Sequence, residues 1–122
     1  MIRLLDPLQE HEFIPKSEQG NEGPLTFSVV PMTHGQFVSM ANSANTLEDG
    51  GFAVRYDAIL KKCIKWIANV QWVEGKPVKI DSAREVARFV DACGTPEGIG
   101  VLQEVFRFIQ SLSIPTEDEQ GN

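Results

Sequence analysis

The sequence predicts an α+β fold that is predominantly helical, with about four helices, a short N-terminal strand and a small β-hairpin in one domain. Three observations lead there. Apolar residues recur at helical spacing over much of the chain, three segments open with a helix N-cap signature, and one short stretch after residue 24 alternates apolar and polar side chains. A chain of 122 residues is long enough to bury about two-thirds of the surface its unfolded form exposes. Its 42% apolar and 23% charged residues are ordinary for a folded domain.

Residues 1–24 contain Pro7, Pro15 and Pro24, with Gly20 and Gly23 in a polar run, and are expected to form a mobile N-terminal segment. Its short apolar pieces, Ile2, Leu4, Leu5 and then Phe13 and Ile14, are free to dock on the body. Residues 25–115 form the helix-rich domain. Leu25 to Val30 reads as a strand ended by Pro31. Thr33 and Gln36 make a capping box for a helix of about Thr33 to Asn45. After the turn Leu47 to Gly51 comes the strongest helical stripe of the chain, Tyr56, Leu60, Cys63, Ile64 and Ile67. Phe52, Ile59 and Trp66 flank that stripe and widen its apolar arc.

Trp72-Val73, the turn Glu74-Gly75-Lys76 and Pro77 to Ile80 read as the hairpin, with Pro77 at an edge position. Ser82 with Glu85 caps the next helix, whose Val86, Phe89, Val90 and Cys93 share a face, and Gly94 ends it. Thr95 and Pro96 open the last helix, with Ile99, Leu102, Val105, Phe106, Ile109 and Leu112 as its stripe. Residues 116–122, TEDEQGN, have nothing apolar to bury and are expected to be a disordered acidic tail.

The net charge of −6 lies entirely at the two ends. Residues 1–24 hold five acidic and two basic side chains, residues 25–115 nine of each, and residues 116–122 three acidic and none basic. A neutral body argues against nucleic-acid binding, which needs a basic face to release counterions. Lys61, Lys62 and Lys65 form a small basic cluster that reads as a solvated face. No apolar run is long enough to span a bilayer and the first residues lack a signal-peptide pattern, so a cytoplasmic location without membrane contact is expected. Cys63 and Cys93 lie on apolar faces and are expected to be reduced, buried thiols.

The residues offer no catalytic, cofactor or metal chemistry. His11 and His34 have no second histidine or cysteine at ligand spacing, no serine stands in a nucleophile elbow, and the glycine pairs do not follow a strand in a phosphate-binding pattern. The expectation is a non-enzymatic protein-binding protein. Its candidate binding residues are the large apolar side chains Phe52, Ile59, Trp66 and Trp72, on the flank of the long helix and at the hairpin after it, where Trp66 and Trp72 would share one patch.

The run Ile64 to Val78, IKWIANVQWVEGKPV, is similar to a stretch common in small tail proteins of long-tailed bacteriophages. There a helix ends in a Trp-containing segment, a Gly-containing hairpin turn follows, and then a Ser-capped helix like Ser82 to Cys93. The early strand before a Thr-capped helix, and the closing helix Ile99 to Leu112 with its acidic end, extend the likeness over residues 25–119. The chain thus resembles the tail assembly chaperones. That resemblance implies a partner in the phage tape measure protein, which such chaperones coat and keep soluble, and recruitment of tail tube subunits. The alternative is an oligomeric structural component of a phage particle, such as a tail completion or connector protein; a homo-oligomer suits either.

Overall fold

In the computed structural model, residues 4–44 and 51–113 are described. Their strands form a four-stranded antiparallel sheet in the order β1-β2-β3-β4: β1 His11–Phe13, β2 Thr26–Val29, β3 Ile64–Val70 and β4 Val78–Ile80. The helices are α1 His34–Ala44, α2 Gly51–Cys63, α3 Ala83–Ala92 and α4 Pro96–Ser113. One helical face of the sheet holds Phe27, Val29, Ile64, Ile67, Val70 and Ile80, which close a single buried cluster with Leu60, Val86, Val90, Leu102, Val105, Phe106 and Ile109. No helix among the described residues is long and apolar enough to cross a membrane.

This sheet overturns the expected arrangement of a lone N-terminal strand and a separate hairpin under a mainly helical body. β3 is where the two differ most. The helical stripe Leu60, Cys63, Ile64, Ile67 continues without interruption across the point where α2 stops and β3 begins. All four residues are buried, but the last two belong to a strand. Two bulges explain the disguise. Ser28 and Val29 of β2 face Trp66 and Ile64, so Lys65 is an extra residue on that side. Ile80 and Val78 of β4 face Ile67 and Val70, so a second extra residue lies between these. Asn69 marks it with a left-handed backbone, φ 62°, and its amide donates to the Pro24 carbonyl at 2.8 Å. Each bulge stretches the strand period from two to three, and buried side chains recur at Ile64, Ile67 and Val70 as they would on a helix.

The N-terminal segment also enters the sheet. His11, Glu12 and Phe13 pair with Val29, Ser28 and Phe27, Phe13 stacks on Phe108 of α4 with ring centroids 4.8 Å apart, and Pro15 is fully buried. The expected acidic tail at residues 116–122 lies outside the described residues, as does most of the turn before α2.

Local signals set the other helix starts. The Thr33 and Gln36 side chains each bond the other's backbone N–H, at 3.2 and 2.8 Å, which is the reciprocal pattern of a capping box. Ser82 accepts from the Glu85 N–H at 3.1 Å, and Thr95 from the Gly98 N–H at 3.1 Å. Gly94 follows the end of α3 as expected, but without the left-handed backbone that usually favours glycine there.

Gly98 has a steric reason of its own. A Cβ built on it would lie 2.8 Å from Cys93 Cα and 2.9 Å from Cys93 Cβ, because the tight α3–α4 turn presses the first turn of α4 against the end of α3. Gly98→Ala is expected to cost about 1–3 kcal/mol in urea unfolding, as overpacking against backbone does. An unchanged midpoint would show that the turn opens freely.

Candidate protein-binding site

The four residues singled out in the sequence do not come together. Ile59 is 3% exposed and belongs to the core, so it offers no surface. Phe52 falls in the first turn of α2, its side chain outside the described part. Trp66 and Trp72 part to opposite faces of the sheet. Trp72 packs on the helical face against Phe89, with centroids 6.3 Å apart, and Phe89 in turn meets Phe27 at 5.8 Å. The Arg88 guanidinium lies 4.4 Å over the Trp72 ring, a cation–π contact that shields its outer side.

Trp66 faces the other way. In the cross-strand row Glu12, Ser28, Trp66 it stands opposite Ser28, and the Lys79 ammonium of β4 lies 4.5 Å over its ring. Ser28, only 1% exposed, donates its hydroxyl hydrogen to the Glu10 carboxylate at 2.8 Å. This outer face therefore runs from acidic at β1, across a half-buried tryptophan, to basic at β4.

A second surface lies where α2 passes directly into β3. An open groove of about 600 Å³ is lined by Pro7 and Leu8 of the N-terminal segment, by Val30, Pro31 and Ile64, and by Lys62 and Lys65, among others. The geometry follows from the junction. With no loop between Cys63 and Ile64, the end of the helix is held against the sheet, and the Val30 N–H donates to the Cys63 carbonyl at 2.9 Å. Lysines suit the last turn of α2, whose carbonyls carry partial negative charge. Lys61, also on the groove wall, is paired at 2.9 Å with Asp57 and 2.7 Å with Asp91, which ties α2 to α3. The hydrogen bonds that its ammonium donates to Asp91 and then to Asp57 raise its pKa. All three lysines of the sequence cluster thus line the groove, Lys61 held in its ion-pair bridge and Lys62 and Lys65 outside that bridge, with Asp81 also on the wall.

Sequence reasoning missed this groove, because Pro7 and Leu8 are over fifty residues from Lys62. The signal available in the sequence was the run of Leu4, Leu5 and Leu8, apolar side chains that in the structure remain 85%, 47% and 82% exposed. Cys63 and Cys93 are free thiols, the first buried and the second half-buried, and burial pushes both up to about 11. Among the described residues, no group of three or more His, Cys, Asp or Glu side chains is placed to hold a metal ion. Comparisons with family models, curated proteins and solved structures found no match.

Proposed function

We propose that this chain is a non-enzymatic protein-binding protein of the tail assembly chaperone kind, which holds a phage tape measure protein in soluble form and recruits tail tube subunits to it. The observation that carries the binding role is the groove at the α2–β3 junction, with apolar Leu8, Val30, Pro31 and Ile64 beside Lys62 and Lys65. Such a groove suits an amphipathic helix that lays apolar anchors inside and presents acidic residues to the lysines. The phage assignment rests on the likeness of Ile64 to Val78 and of the segments around it. Trp66, Gly75 and the Ser82-capped helix follow one another in the sequence in the order of that likeness, with Trp66 in β3 rather than at the end of a helix.

The test is capture of a tape measure protein co-expressed with the chain. Lys62→Glu with Lys65→Glu should weaken capture about tenfold or more, because like charge then meets the acidic side of the helix. Thermal melting of the double variant should match the wild type. Undiminished capture would remove the groove from the mechanism, and failure of the wild type to capture any tape measure protein would remove the chaperone reading itself.

The alternative of an oligomeric structural component has one observation in its favour, the opposite charge of the two sheet edges.

A further inference from the structure

We propose that copies of this chain associate head to tail, the β4 edge of one copy adding to the β1 edge of the next so that the sheet continues from molecule to molecule. β1 and β4 are the outer strands of the sheet. Among the described residues, no backbone hydrogen bond is made on the far side of either. Unpaired edges of this kind are templates for another strand.

Direction and face both allow the sheet to continue. All three pairings are antiparallel, so β4 runs opposite to β1. The β4 of one molecule and the β1 of the next therefore meet antiparallel with their outer faces on the same side, and the pattern repeats without a flip.

Charge selects this arrangement over the others. β1 carries Glu12 at its centre, with Glu10 just before it; β4 carries Lys79 at its centre, with Lys76 just before Pro77. Glu74 and Asp81 stand beyond the ends of β4 and leave the strand itself basic. Two β1 edges would set Glu12 against Glu12, and two β4 edges Lys79 against Lys79; directly opposed like charges destabilise a strand pair and opposite charges stabilise it. Only β4 with β1 puts lysine opposite glutamate. In that pairing Glu12 of the next copy meets Lys79 on the same outer face as the row Glu12, Ser28, Trp66; Lys79 itself is level with Ala68 and Asn69 and its ammonium reaches back over the Trp66 ring.

Strands of three residues bury less than the roughly 800 Å² per partner of a standard stable interface. Val73, fully exposed in the hairpin loop, and the half-exposed Val78 supply apolar area next to the β4 edge. The contact is accordingly weak and sensitive to salt. Being heterologous, it closes into a ring if the rotation per copy allows and otherwise grows as a filament.

Sedimentation of the whole chain at low ionic strength tests this without any partner protein, so its outcome is separate from that of tape measure capture. The average mass should rise with concentration and return to that of one chain in high salt. Glu12→Lys and Lys79→Glu should each associate at least tenfold more weakly. Their equimolar mixture should recover association, since each variant then offers the edge that the other lacks. Because any such variant risks a folding defect, Glu12→Cys and Lys79→Cys give a second measurement. Mixed under mild oxidation, they should form a disulfide-linked pair of unlike chains, with either variant alone and the wild type as controls. A wild type that stays monomeric up to about 1 mM, the weak limit of specific association, overturns the proposal. So does a mixture that does not recover, or a cross-link that forms only within one variant.

Discussion

Phe27→Ala is expected to lower the unfolding free energy by about 3–5 kcal/mol, the usual cost of truncating a fully buried phenylalanine. Phe27 has no exposed surface, stands between Phe13 and Ile67 in the sheet, and meets the Phe89 ring edge-on at 5.8 Å. It touches both an edge strand and the helical layer, so little can relax into the space its ring leaves. Against a total stability of about 5–15 kcal/mol, such a loss takes a large share of what holds a small domain folded. Urea titration followed by tryptophan emission would measure it directly. A loss under about 1 kcal/mol would mean that the site collapses and that β2 is not anchored as described.

Alkaline pH should destabilise the protein steeply. Burial pushes the thiols of Cys63 and Cys93 from 9.0 to about 11. As pH climbs past 9.0 the unfolded chain releases these protons while the folded chain keeps them, so stability present below 9.0 is lost progressively up to about 11. For the buried Cys63 alone the slope approaches about 1.4 kcal/mol per pH unit. Two other groups act with the same sign. Tyr56 is raised by burial, and Lys61 by its hydrogen bonds to Asp91 and Asp57. Urea midpoints recorded in reductant should therefore fall through that window, with no matching loss from these groups below it. A midpoint that holds to pH 11 would show that the thiols ionise as easily in the fold as outside it.

What the sequence made legible was burial and punctuation. The caps at Thr33, Ser82 and Thr95 act within three residues of themselves, so no distant contact can alter them, and each is found in place. Most of the apolar stripes of α3 and α4 also lie where their spacing puts them, with Val86, Val90, Leu102, Val105, Phe106 and Ile109 in the core, whereas Ile99 at the start of the α4 stripe is 47% exposed. Periodicity failed where a strand borrowed the period of a helix. Ile64, Ile67 and Val70 are buried as a helix would bury them, yet the spacing comes from bulges that only the neighbouring strands define. The richness of this stretch in Ile, Trp and Val was the competing signal, and it pointed to a strand.

The candidate surface was less legible for the same reason. Trp66 and Trp72 were expected to share one patch, and a regular strand would also put residues six apart on one face; the extra residue between Ile67 and Val70 shifts the alternation and sends them to opposite faces. β1 escaped notice because three residues among prolines and acids carry too little pattern to register, and its pairing with β2 is specified mainly by Phe13 against Phe27.

The doubled bulge in β3 leaves this segment with no secondary structure of its own. Its spacing asks for a helix, its composition for a strand, and α2 delivers it already wound in helical register. The choice is made only when β2 and β4 arrive to receive its backbone, one from more than thirty residues upstream and the other from the loop just after it. A regular strand can slide by two residues and keep its faces. Here a slide would carry each extra residue away from the gap that accommodates it, so the segment has one partner register or none. This interior strand is thus the element most dependent on its neighbours for its identity, and once seated, the one least able to shift.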